Sequence, residues 1–253
     1  MKQNAGVRKN MPVIDVSDVK LSDGDRNEVL RYLGYQGQTI SQDLMDTFSE
    51  CMESVNDAAQ PKALYNIYDL HQDEDHLTPG PDRKYPAAVF PDELSFLSGN
   101  DIKVHLAGCT QAVLMAATIG LRQDMMTRQQ SLMDPLRSVI IDSAGSVLVE
   151  AVCDTAEAVL RSRLSEQGLF LTSRFSPGYG DLPLDAQQKF SEVLEIRRIG
   201  ISVSADFLMT PRKSVTAVLG IAHHPVKKNQ RSCDSCNLKG ACRFRRMGFF
   251  CSE

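Results

Sequence analysis

The stretch that decides the fold is residues 135–168, which read PLRSVIIDSAGSVLVEAVCDTAEAVLRSRLSEQG. Pro135 is tolerated in the first turn of a helix, because an N–H at that position would have no partner within the helix. Gly168 is a glycine, the residue type that most often follows the last turn of a helix. The stretch therefore predicts one long helix, the longest in the chain, which ends at about Gln167.

Shorter elements of both kinds are predicted around this helix. Apolar runs and alternations predict strands at residues 63–70, 90–96, 112–119, 169–172 and 213–223. Helical patterns cover residues 25–33, 41–58, 101–107 and 185–196, and a loop rich in Asp, Pro and Gly is expected at 73–85. The order of these elements is not a clean βαβ series, so an α+β fold is expected.

Composition excludes several classes of protein. The chain has 253 residues and a net charge of −4, which leaves no basic footprint for nucleic acid. No run of 18 apolar residues exists, so no membrane span is expected. Residues 1–11 are polar and lack the apolar segment of a secretory signal. A cytoplasmic protein is the expectation.

The cysteines fall into two groups. Seven is an odd number, and in an intracellular chain it argues against a disulfide framework. Cys51, Cys109 and Cys153 lie in apolar or helical surroundings and are predicted to be small buried side chains. The other four thiols lie in a basic tail, and they are Cys233, Cys236, Cys242 and Cys251. They fit a zinc site or an iron–sulfur cluster, but also redox-labile thiols or unliganded cysteines.

Residues 174–181, hereafter the 174–181 loop, contain residue types that suit the binding of a small ligand. Arg174 offers a planar guanidinium that can hold a carboxylate through two hydrogen bonds. Pro177 stiffens the chain, and Gly178 and Gly180 allow a sharp bend and close approach to a ligand. Tyr179 adds a flat face and a hydroxyl. These features suit an amino-acid ligand with a cationic centre, and composition alone also fits a surface turn.

Three ordered blocks together point to a family. An Arg, three residues and Gly-Tyr after a long helix resemble the S-adenosylmethionine-binding loop in the activation domain of cobalamin-dependent methionine synthase. Residues 145–150, GSVLVE, resemble the helix of that domain that carries a ligand-contacting Glu. Residues 199–220 resemble the strand-turn-strand that follows, so the similarity covers roughly residues 101–225.

The resemblance implies a fold and a set of binding residues. The fold would be a twisted, mainly antiparallel sheet with flanking helices, one of them long. The family's ligand residues map to Glu150, Arg174, Pro177, Gly178, Tyr179, and the backbone of Gly180 and Asp181. An acidic contact that the family makes early in the domain has no identified counterpart. In this division, residues 1–97 are an N-terminal portion, 98–225 the binding core and 226–253 the tail.

The resemblance also implies a role for a stand-alone domain. It would hold S-adenosylmethionine over the cobalamin of a separate methionine synthase that lacks its own activation domain, as an accessory to methyltransferase activity. Flavodoxin or ferredoxin would supply the electron. His71 fits a cobalt-ligating motif poorly, because Glu74 stands where that motif has Gly, so the partner is expected to own the cobalamin. The alternative is a redox protein that reduces a corrinoid partner through a metal cluster on its C-terminal cysteines.

Overall fold

The computed structural model describes residues 12–79 and 84–226, together with Gly240. The helices are α1 (Arg26–Tyr32), α2 (Gln42–Ala58), α3 (Asn100–His105), α4 (Leu121–Met133), α5 (Pro135–Ser165) and α6 (Ala186–Val193). The strands are β1 (Val13–Ile14), β2 (Lys62–Asp69), β3 (His71–Pro79), β4 (Lys84–Val89), β5 (Gln111–Thr118), β6 (Phe170–Leu171), β7 (Ser202–Val203), β8 (Met209–Thr210) and β9 (Ser214–Ala222). Among the described residues, no helix is long and apolar enough to cross a membrane.

The largest sheet has five strands in the order β1-β2-β5-β9-β6. Strand β1 runs antiparallel to β2, and β6 runs antiparallel to β9. Backbone hydrogen bonds from Thr110 N to Ile221 O and from Ile119 N to Lys213 O flank β5 and β9, and their register makes this pair antiparallel as well. The predicted α+β fold with a mainly antiparallel sheet is confirmed.

The chain divides into two compact units. Unit 1 comprises Met1–Asn66, Leu114–Leu160 and Gln187–Thr216, and unit 2 comprises Ile67–Val113, Arg161–Ala186 and Ala217–Glu253. Each unit therefore collects three segments that are distant in the sequence.

Helix α5 confirms the predicted long helix, since it spans Pro135–Ser165. Its most deeply buried residues, with at most 3% exposure, include Ile140, Ile141, Ala144, Leu148, Val152, Cys153, Ala156 and Leu160. Between residues 140 and 153 most side chains are buried, and they lie on more than one face of the helix, so burial of apolar surface all round stabilises this part of it.

Helix α4 was not predicted from the sequence. It is mostly polar, and its one buried residue is Gln123, so no apolar stripe reveals it. The Gln123 side chain donates from Nε2 to the carbonyl of Ile141 at 2.8 Å. A buried amide thus links α4 to α5 within unit 1, at the place where α5 carries Gly145.

Two local predictions were wrong. The segment expected as a loop at residues 73–85 contains most of the β3–β4 hairpin, whose register shifts between Asp73 and Leu77. Because the hairpin strands pair with each other, the polar and largely exposed residues of β3 need no apolar pattern. The strand expected at residues 90–96 is instead a short 3₁₀ turn, Asp92–Leu94, which follows Pro91.

The cysteine predictions have separate outcomes. Cys51, Cys109 and Cys153 are buried, as predicted. Burial raises the pKa of the Cys109 thiol to about 12, which keeps it protonated and unreactive. Cys233, Cys236, Cys242 and Cys251 lie outside the described residues, so their metal site stays a prediction.

Replacing Gly145 with Ala tests the close approach of α4 and α5. A β-carbon at this position would lie 2.6 Å from Gln123 Nε2 and 3.0 Å from its Cδ. Helix propensity favours Ala over Gly by about 1 kcal/mol, but overpacking costs about 1–3 kcal/mol. We expect Gly145→Ala to lower the free energy of unfolding by about 1 kcal/mol in urea titrations.

The matched control is Ser162→Ala, an exposed position of the same helix. It should be neutral or slightly stabilising, because Ala gains helix propensity there without meeting a neighbour. A stabilised Gly145→Ala variant would show that Gln123 does not fill the space above Gly145.

Candidate functional site

The 174–181 loop begins at an irregularity in the five-stranded sheet, where β6 pairs with β9. Strand β6 pairs with β9 through Leu171 and Ile221, and Phe175 pairs with Val218. Between these pairs β9 has two residues and the chain leaving β6 has three, so the register slips by one residue. This is a β-bulge, and it contains Arg174. Bulges commonly turn a side chain away from the regular alternation of a strand, often beside a functional site.

Thr172 holds the chain at the start of the bulge. Its N–H donates to the carbonyl of Gly220 at 2.9 Å, and its hydroxyl oxygen accepts from the Gly220 N–H at 2.8 Å. The Arg161 guanidinium donates to the carbonyl of Leu171 at 2.5 Å and to that of Thr172 at 3.3 Å. The Thr172 hydroxyl thus takes the place of a backbone acceptor for Gly220. The backbone carbonyl of Thr172 can therefore turn toward Arg161.

A histidine supports the same turn. His105 Nε2 lies 3.1 Å from the Thr172 hydroxyl oxygen, and its ring centroid lies 5.2 Å from that of Phe175. Burial lowers the pKa of His105 to about 4, and a backbone hydrogen bond with Ser173 opposes this shift. The imidazole is therefore neutral near pH 7. It acts as a packed polar group rather than as a charge beside Thr172 and Phe175.

Short turns shape the middle of the loop. The Gly178 N–H donates to the carbonyl of Leu182 at 2.9 Å, and the Tyr179 N–H donates to that of Ser176 at 3.1 Å. Gly178 and Gly180 have φ angles of 87° and 55°, in the left-handed region that favours glycine. The sharp bend predicted from these glycines is therefore confirmed, and Tyr179 is presented with 68% of its surface exposed.

Asp181 closes the far end of the loop against α3. Its carboxylate accepts hydrogen bonds from the backbone N–H groups of Asn100 at 2.6 Å and Asp101 at 2.9 Å. These bonds hold the pKa of Asp181 below its usual value, since they favour the charged form. In return, the Asp101 carboxylate accepts from the Asp181 N–H at 3.2 Å. The two aspartates are thus joined through backbone amides.

The predicted site residues lie in both units. Arg174, Pro177, Gly178, Tyr179, Gly180 and Asp181 are gathered in one loop of unit 2. Within that loop Arg174 is half-buried and Pro177 is buried. Glu150 is a half-buried residue of α5 and belongs to unit 1. Residues 12–79 and 84–226 contain no group of three or more His, Cys, Asp or Glu side chains that could hold a metal ion.

The sequence did not reveal the residues that support the loop. His105 and Asp101 precede it by about 70 to 80 positions, and neither stands in a motif. The pairing of α3 with the loop is long-range, which periodicity cannot detect. The one available signal is local: Gly99 and Gly180, both with positive φ, lie beside the carboxylates of Asp181 and Asp101.

Comparisons with known proteins agree with this geometry at the level of the fold. No protein-family model matches the chain, and no curated protein shows significant sequence similarity to it. Among solved structures, the chain is similar to a crystal structure of the MetH reactivation domain bound to AdoHcy. The TM-score is 0.55 and the identity 14%, over 94% of this chain and 86% of that chain. The protein has the fold of that domain, so the resemblance inferred from the sequence is confirmed for the fold.

The lowered pKa of His105 makes stability depend on pH. Between about pH 6.5 and about pH 4 the unfolded chain binds a proton at residue 105 that the folded protein does not bind. The free energy of unfolding should therefore fall as the pH falls through this window. The contribution of His105 is at most about 1.4 kcal/mol per pH unit.

Urea unfolding at about pH 7 and about pH 5 measures this dependence, with His105→Gln as the comparison. Glutamine cannot take up the proton, so the variant should lose less stability than the wild type on acidification. Equal losses in both proteins would show that His105 is not buried in its neutral form.

Proposed function

We propose that the protein binds S-adenosylmethionine at the 174–181 loop and supports reductive methylation of cob(II)alamin on a separate methionine synthase. The observation that carries the proposal is the ordered loop, in which a bulge contains Arg174 and two glycines present Tyr179. The fold likeness adds weight, because the similar domain was solved with AdoHcy, the product left when adenosylmethionine gives up its methyl group.

Each loop residue has a role that suits this ligand. The Arg174 guanidinium can bind the ligand carboxylate through two parallel hydrogen bonds. The exposed ring of Tyr179 offers a flat surface, and Gly178 lets the ligand approach the backbone. Gly180 turns the chain beside the Asp101 carboxylate. Glu150 on α5 belongs to unit 1, and its contact with the ligand stays a prediction of the family resemblance.

The reaction demands placement rather than proton transfer. One electron reduces cob(II)alamin, the sulfonium carbon–sulfur bond breaks, and the methyl group is transferred to cobalt with AdoHcy as the leaving product. No proton is gained or lost by the protein in this sequence. Catalysis would come from alignment of the methyl group with the cobalt and from exclusion of water.

The proposed partners come from the family resemblance. The corrinoid would be a substrate carried by a synthase without its own activation domain, and flavodoxin or ferredoxin would provide the electron. The protein would then act in trans, in the cytoplasm, as an accessory to methyltransferase activity.

Isothermal titration calorimetry with S-adenosylmethionine and AdoHcy tests the proposal. The wild type should bind both ligands. Arg174→Ala should weaken binding by about tenfold to about a hundredfold, because a charge-assisted pair with the ligand carboxylate is lost. Arg174→Lys should recover only part of the loss, since an ammonium cannot form the bidentate pair.

Arg198→Ala is the control, because Arg198 is an exposed arginine of unit 1 that lies outside the loop. It removes the same formal charge and should leave the affinity unchanged. The proposal fails if the wild type binds neither ligand, or if Arg174→Ala binds as tightly as the wild type.

A further inference from the structure

Helix α3 contacts the loop at both of its ends. At the helix N-terminus, the amides of Asn100 and Asp101 bind the Asp181 carboxylate. At the C-terminus, His105 contacts Thr172 and packs on Phe175. All of these residues belong to unit 2. The binding residues lie in the chain between these two points of attachment.

The attachment at Asp181 is close and reciprocal. A β-carbon on Gly99 would collide with the Asp181 carboxylate, and one on Gly180 would collide with the Asp101 carboxylate. Both glycines have positive φ angles. The two backbones therefore approach each other within a space that admits no side chain, and the charged Asp181 accepts two amides that would otherwise face solvent.

The attachment at His105 fixes the other end. The Thr172 hydroxyl is already committed to the Gly220 N–H on β9, so the histidine binds a group that the sheet holds in place. The Phe175 N–H and carbonyl both pair with Val218. Contacts with Thr172 and Phe175 thus connect the end of α3 to the bulge that contains Arg174.

A short helix is a stiff spacer. Six residues at a rise of about 1.5 Å span roughly 9 Å, and the backbone bonds of the helix allow little change in that length. Holding both ends of the loop on one such spacer removes conformations that the chain would otherwise lose on binding a ligand. Ordering of this kind raises affinity without adding a contact.

We propose that α3 pre-orders the 174–181 loop for its ligand, with Asp181 and His105 as positioning residues that act through the backbone and through Thr172. This inference rests on the proposed function, because it assumes that the loop binds S-adenosylmethionine. It assigns Asp181 to the support of the loop rather than to ligand contact, since its carboxylate binds α3 and its N–H binds Asp101.

The first test is Asp181→Asn, compared with Asp185→Asn in the full chain. The asparagine keeps the shape of the side chain but can no longer accept from both helix amides through charged oxygens. Asp185 is an exposed residue just beyond the loop, so its variant removes the same charge without touching α3. Hydrogen exchange at the loop and at residues 100–101, thermal unfolding, and calorimetry with AdoHcy are the measurements.

We expect Asp181→Asn to exchange faster at residues 100–101 and in the loop, and to bind AdoHcy about tenfold more weakly, with little change in melting temperature. Asp185→Asn should match the wild type in all three. Unchanged exchange in Asp181→Asn overturns the role of α3 even if the wild type binds the ligand. Faster exchange with unchanged affinity overturns it too, and leaves the proposed function intact.

His105 gives an independent test at the other end of the helix. His105→Ala should weaken AdoHcy binding, and His105→Gln should restore most of it, because an amide can still reach the Thr172 hydroxyl. Equal weakening by both variants would contradict a role through Thr172. If the wild type fails to bind AdoHcy, the proposed function falls, and the exchange data still decide whether α3 orders the loop.

Discussion

The candidate site depends on a β-bulge, one extra residue in the chain that leaves β6 and pairs with β9. Between Leu171 and Phe175 the chain has one residue more than the facing segment of β9, and that mismatch creates the bulge around Arg174. The mismatch is stable because the Thr172 hydroxyl replaces the missing backbone acceptor for Gly220. Gly220 in turn has no room for a side chain, since a β-carbon there would collide with Cys109 Sγ. The approach of Cys109 to β9 therefore requires the glycine, and it brings the chain after α3 to the base of the bulge.

The residues that contact the loop and the bulge differ in burial. Cys109 is buried and His105 is half-buried. Burial raises the pKa of the Cys109 thiol to about 12 and lowers the pKa of the His105 imidazole to about 4. Both shifts favour the neutral form, as expected where charge is poorly solvated. Asp181 is exposed, and backbone amide donors lower its pKa and stabilise its charge. His105 and Cys109 are thus neutral, whereas the charged Arg161 and Asp181 bind backbone groups at the two ends of the loop.

The sequence predicted those parts of the molecule that have a local signature. Pro135 and Gly168 frame α5, apolar runs mark β5 and β9, and two glycines mark the bend around Tyr179. Helix α4 has no such signature, because its buried contact is the amide of Gln123. The bulge was equally invisible, since one inserted residue leaves no trace in an apolar pattern. The pairing of Asp101 with Asp181 joins positions 80 residues apart, and only tertiary structure brings them together.

The loop held by α3 and the neutral His105 both suit a reaction that depends on placement of the reactants rather than on proton transfer. Proton transfer at pH 7 calls for a group whose pKa lies near neutrality, and His105, which contacts Thr172 and Phe175, has a pKa of about 4. Methyl transfer from a sulfonium needs a fixed donor and an aligned acceptor instead. In the proposed function, the six-residue helix that is bonded to both ends of the loop would meet that need by limiting the motion of the residues between Arg174 and Tyr179. The features that sequence patterns miss are thus the ones that would turn a Gly-Pro turn into a binding site.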